Sequence, residues 1–130
     1  MKIQDMSSAI FDVSSNVDVE KILLKRYGQG VNAFWLYHEP REKPLLLILV
    51  NKQLANLNYF PDEEGHPGYY SVGRVPLLPA DGTTVFFMNS PDEEEHVFNG
   101  AIIPFADALV AAKEFLVSTK LPPSIEWFEL

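Results

Sequence analysis

Residues 45–60 read LLLILVNKQLANLNYF, and the two halves of this stretch are β-structure of two kinds. Leu45 to Val50 is a continuous aliphatic run of strand length directly after Pro44, which predicts a buried strand. Leu54 to Phe60 alternates instead: Leu54, Asn56, Asn58 and Phe60 fall on one side, Ala55, Leu57 and Tyr59 on the other. The alternation breaks at 61–65, PDEEG, a hydrophilic turn. Successive strands joined by tight polar turns imply an antiparallel sheet.

Downstream, 69–73 and 83–89 read as further strands, the second introduced by Asp81-Gly82 and rich in β-branched and aromatic residues. A second acidic turn over 90–95 separates the latter from a short segment at Val97 and Phe98. Upstream, 33–38 is aromatic-rich, and a charged, proline-bounded link over 39–44 joins it to the aliphatic run. Alternation of Ala9, Phe11 and Val13 suggests a short first strand.

Two segments have helical period instead. Ser15 or Asn16 can cap a helix over 17–27, with Asp18 and Glu20 in its first turn, Lys25 and Arg26 in its last, and Gly28 as its stop. Its apolar face is Val19, Ile22, Leu23 and Tyr27. The second helix covers 104–118: Pro104 occupies the tolerated first position, and Phe105, Ala108, Leu109, Ala112, Phe115 and Leu116 recur every three or four residues. Pro122-Pro123 ends it, and 125–130 is a last strand or strapped tail with Trp127 as a lid on the core. The expected fold is a single α+β domain over 1–130, an antiparallel sheet packed against the helices 17–27 and 104–118.

Composition narrows the function classes. A chain of 130 residues, 47% of them hydrophobic, can build one core and is far from the disordered regime. The longest apolar run is too short to cross a membrane, and the first residues do not open a signal peptide. With no Cys there is no disulfide framework or thiolate site, which fits a reducing compartment, and the expected location is the cytoplasm. Residues 1–52 carry seven Lys/Arg against six Asp/Glu, whereas 53–130 carry three against twelve, so the net charge of −8 resides in the second half. A surface of that sign argues against direct nucleic-acid binding and favours a basic protein partner. The sequence sets no oligomeric state.

The residues that could carry chemistry are scattered. His38-Glu39 lacks the helical spacing of a zinc motif. Asp62, Glu63, Glu64 and His66 share one turn without calcium-loop spacing, and the run Asp92, Glu93, Glu94, Glu95, followed by His96, is too self-repelling to converge on one ion. No nucleophile elbow is present, and Gly28-Gln29-Gly30 follows a helix C-terminus, the wrong end of the dipole for phosphate. No catalytic residue, metal or cofactor is expected.

One ordered set of short motifs has a further reading. Leu57-Asn58-Tyr59-Phe60-Pro61 leads into the acidic turn and then Gly65-His66-Pro67-Gly68-Tyr69-Tyr70-Ser71-Val72-Gly73. Val85-Phe86-Phe87 follows, then Ile103-Pro104-Phe105 running to Glu114-Phe115-Leu116, and finally Pro122-Pro123-Ser124-Ile125-Glu126-Trp127. Over about 45–128 this order resembles the type-one immunity protein family of bacterial polymorphic toxin systems. In that family a strand leads into an acidic glycine-containing turn, an aromatic-Ser-Val/Gly element, a strand, a helix and a Pro-x-x-x-x-Trp close.

The resemblance implies a non-enzymatic protein that binds and occludes a cognate toxin domain, commonly a nuclease or nucleobase deaminase. Asp62, Glu63, Glu64, Asp92, Glu93, Glu94 and Glu95 would then enter a basic cleft as phosphates do, and His66, Tyr69 and Tyr70 would anchor beside them. Strand alternation turns one of the two tyrosines to the core. The competing expectation is an adaptor or small-ligand domain whose pocket is lined by Phe34, Trp35 and Tyr37, with the acidic turns serving only solubility.

Overall fold

The computed structural model describes residues 1–76 and 78–130. Its elements in chain order are β1 (Lys2–Asp5), β2 (Ile10–Asp12), α1 (Asn16–Leu23), β3 (Val31–Tyr37), β4 (Leu45–Asn51), β5 (Leu54–Phe60), β6 (Tyr69–Val72), β7 (Thr83–Phe87), β8 (Glu94–Phe98), β9 (Ile103–Pro104), α2 (Phe105–Ser118) and β10 (Glu126–Glu129). The main sheet runs β10-β6-β5-β4-β3-β1-β2, with β9 also on β5, and every pairing is antiparallel. This is an α+β fold with the sheet packed against two helices. No helix among the described residues is long and apolar enough to cross a membrane.

Both faces of the sheet are covered at its centre, which is why β4 reads as an aliphatic run with no polar side. Phe34, Leu36, Leu46, Ile48, Val50, Ala55 and Leu57 face α1 and α2, meeting Val19, Ile22, Leu23, Ala108, Ala112 and Phe115. Val31, Ala33, Leu47 and Leu49 face the other way and are covered by Phe86 and Ile102. Phe86 comes from the hairpin of β7 and β8, a separate two-stranded sheet. This hairpin lies over the sheet's second face and does not extend its edge.

Several boundaries differ from the sequence expectation. The segment at 9–13 is the second arm of a hairpin whose first arm, β1, has little strand character of its own and is held between β2 and β3. Ser15 caps α1 as expected, its side chain accepting the Asp18 amide at 3.2 Å. The helix ends at Leu23, four residues before the expected 27. Asn32 Nδ2 donates to the Lys25 carbonyl at 2.9 Å, and Tyr27 pairs with Val31 around a turn in which Gly28 and Gly30 have φ of 54° and 93°. Gly28 is therefore a turn glycine and not a helix stop. At the second helix Pro104 is the cap residue, and the end is made by Thr119 in the left-handed region, φ 59°, before the Pro122-Pro123 pair is reached. Glu94 and Glu95, expected in a turn, belong to β8.

Candidate functional site

The outer edge of β5 is shared by two strands. β9 takes its first residues, Leu54 and Ala55, and β6 takes Asn58 and Tyr59. Between them the edge would be left unpaired in a buried setting, at a cost of about 1–3 kcal/mol per polar group. Ser71 closes the gap: its Oγ accepts the Leu57 amide at 3.0 Å and donates to the Ala101 carbonyl at 2.8 Å. Asn56 Nδ2 donates to the same carbonyl at 3.0 Å. Gly73 lets the 100–103 segment come this close, because a Cβ there would stand 2.3 Å from the Ile102 carbonyl oxygen. The junction positions Tyr70 on β6 and, through the short helical turn Asn99–Ala101, Phe98 at the end of β8.

Tyr70 shares its face of the sheet with Asn58, and its ring is packed edge-on by Phe98 at 5.2 Å and stacked on Phe128 of β10 at 5.0 Å. Phe98 and Phe128 remain 48% and 51% exposed, so this is an aromatic surface and not a core. Beside it, between the hairpin and the sheet, runs a groove of about 290 Å³ whose walls include Leu47, Asn58, Phe60, Tyr70, Glu95 and Phe98. A second hollow of about 560 Å³ lies at the hairpin's turn, where Asp92 and Glu94 approach Gly28, Asn51 and Lys52.

The other acidic turn sits elsewhere. It follows Phe60, which pairs with Leu45 at the start of β4, whereas the hairpin's turn packs near Gly28 and Asn51 at the other end. A seven-residue strand separates the two by about 20 Å. Asp62 is paired with Arg41, while Glu63 and Glu64 are exposed. His66 stacks on Tyr69 at 4.9 Å and bonds Glu129 Oε2 at 2.8 Å through Nε2. Because the Gly68 amide donates to Nδ1 at 2.9 Å, Nε2 is the ring nitrogen that donates its hydrogen bond, and the Glu129 carboxylate accepts it. Hydrogen bonds from His66 and then Tyr69 hold the Glu129 carboxyl below its ordinary range. Burial, followed by the bond to Glu129, pushes the Tyr69 hydroxyl up.

The residues singled out from sequence therefore divide into two groups. Tyr70 and Glu95 line one groove, with Asp92 and Glu94 around the adjoining hollow and Glu93 exposed on the same turn. Asp62, Glu63 and Glu64 lie in the turn after Phe60, away from the hairpin's turn, and His66 and Tyr69 stack together with Tyr69 on the sheet's helix-facing side. Tyr69 is the tyrosine that turns to the core, meeting Tyr59 at 6.0 Å; Tyr70 is the one that does not. Trp127 lies over the core as a half-buried lid, its Nε1 donating to the Pro122 carbonyl at 2.9 Å. Sequence reading did not single out the groove residues Asn58, Phe60 and Phe98, nor Phe128, which stacks on Tyr70 beside the groove. Alternation within 125–130 was the available signal for Phe128, since Trp127 facing inward leaves its neighbour outside.

The aromatic trio expected to make a ligand pocket is split. Phe34 is fully buried against the helices, while Trp35 and Tyr37 border a hollow on the opposite face with Gln4, Glu42 and Leu45. His38 bonds the Phe115 carbonyl at 3.1 Å, and His96 bonds Glu94 at 3.2 Å. Among the described residues no three His, Asp or Glu side chains come together as metal ligands. No family model matches the chain, and no curated protein matches its sequence.

Proposed function

We propose that the protein is a non-catalytic immunity protein of the bacterial cytoplasm, which binds and occludes a cognate toxin domain, a nuclease or nucleobase deaminase. The observation that carries this reading is the acidic β7–β8 hairpin beside exposed aromatics. The hairpin carries four consecutive carboxylates, Asp92 to Glu95, and the last of them borders a surface on which Phe98 and Phe128 stand about half exposed around Tyr70. Aromatic anchors beside a strongly negative strand suit a protein partner with a basic cleft, the kind of cleft that grips nucleic acid. The ordered motifs that resemble the type-one immunity family support the same reading.

The test is co-expression of this chain with the C-terminal domain encoded by the neighbouring gene, with growth recorded and the complex purified. Rescue with a stable, salt-sensitive complex supports the proposal. A toxic neighbour whose effect the chain does not relieve overturns it. A neighbour that is harmless by itself moves the weight to the small-ligand reading, for which the hollow at Trp35 and Tyr37 is a candidate site.

A further inference from the structure

We infer that the groove between the hairpin and the sheet receives an arginine side chain of the partner. The inference rests on the reading that the chain binds a basic protein, and it names the group that the protein presents. The groove offers three kinds of surface that prefer the same guest. Its aromatic walls are Phe60, Tyr70 and Phe98; Tyr70 has one face on Phe128, and the π surface these walls leave open attracts a cation. At its rim stand Glu95, which has no ion-pair partner among the described residues, and His96, whose Nε2 is already bonded to Glu94.

On the floor, Asn58 Nδ2 is committed to Asn56 Oδ1 at 2.8 Å, and nothing among the described residues donates to Asn58 Oδ1. The Tyr70 hydroxyl also has no hydrogen-bond partner among the described residues and is open to solvent, and Tyr70 lines the same groove. A carboxylate, an amide oxygen and π faces around an apolar floor of Leu47 and Leu49 reject an anion. A lysine ammonium would have to shed a tight hydration shell to enter such a floor. A guanidinium is flat, weakly hydrated and carries five donors, so it can lie against a ring while reaching Glu95 and Asn58 together.

The test uses the full chain and a blocked amino acid, N-acetyl-arginine methylamide, titrated while NMR signals of Asn58, Tyr70, Glu95 and Phe98 are followed. The expected result is saturable shifts confined to these residues. The citrulline and leucine analogues should produce none of comparable size. Glu95→Gln should weaken the arginine probe by roughly fivefold to tenfold, the loss of one partly solvated charged contact. Asp107→Asn, on the solvent side of α2, should leave it unchanged. Equal shifts with citrulline or leucine amide, shifts spread over all acidic surfaces, or no shifts at all would each overturn the assignment. Because no toxin enters this experiment, failure of the slot and failure of growth rescue are separate results.

Discussion

Tyr70 meets Phe98 edge-on at a centroid distance of 5.2 Å, and this contact joins the hairpin to the outer part of the sheet. The two rings come from strands that are not paired with each other, so the contact fixes where the hairpin lies over β5 and β6. Aromatic pairs of this geometry couple by about 0.5–1.5 kcal/mol beyond area burial. A double-mutant cycle in urea with Tyr70→Leu and Phe98→Leu should return a coupling in that range. If the proposed interface is real, both single variants should weaken partner binding by more than they lower stability, because Phe98 is half exposed in the free protein. Parallel denaturation and binding curves make the comparison.

Ser71 tests the junction that holds this surface in place. Ser71→Ala removes the acceptor of the Leu57 amide and one donor to the Ala101 carbonyl in a fully buried position. The expected loss is about 1–3 kcal/mol, read from the urea midpoint. Gly73→Ala should be worse, since the added carbon would stand 2.3 Å from backbone oxygen that a rotamer change cannot move. A Gly73→Ala protein as stable as the parent would mean that the 100–103 segment is not held against Gly73 in this way.

The strands that could be read from sequence are those whose residues carry their own reason. β5 has the expected bounds, Leu54 to Phe60, because its alternation is flanked by polar breaks. The second helix shows the same legibility through its repeating apolar positions. β1 was missed because Lys-Ile-Gln-Asp has one apolar residue, and its strand form is imposed by neighbours on both sides. Tyr27 falls at helical spacing, yet its hydroxyl is taken by Asp5 Oδ2 at 2.6 Å, a contact 22 residues away that no local pattern announces. The candidate site divides likewise. Tyr70 and Glu95 were each visible as residue types, but their meeting depends on a hairpin crossing the sheet, and crossing is not written in periodicity.

Glu129 connects stability to pH. Its carboxyl is held below the ordinary range by His66 and Tyr69, so the ionised form is favoured by folding. That contribution is complete above the carboxyl's unfolded pKa and is lost as pH falls through the lowered folded value. Glu129→Gln should therefore lower stability most near neutral pH, and the gap from the parent should close as the solution is acidified through the carboxylate range. Urea midpoints of both proteins across acidic pH check this. A gap that stays constant with pH would show that the His66–Glu129 bond is not retained in solution.

The two acidic turns make the last comparison, because the fold puts them at opposite ends of β4 while their sequences look alike. Reversing Glu93, Glu94 and Glu95 to Lys places three cations on the hairpin, one of them in the groove wall; reversing Glu63 and Glu64 places two in the turn after Phe60. Neither set touches the core, and each should change stability by no more than about 0.5 kcal/mol per site. Their effects on binding should differ. Reversal on the hairpin should slow association with a basic partner by about tenfold or more at low salt, and the difference should shrink as salt is raised and the field is screened. It should also speed dissociation, since Glu95 borders the groove itself. Reversal at Glu63 and Glu64 should act on the association rate alone, through the long-range field, if the interface is centred on Tyr70. Stopped-flow rates for the two sets separate the cases: a larger dissociation effect at Glu63 and Glu64 would move the binding surface to the end of the sheet where His66 and Tyr69 stand.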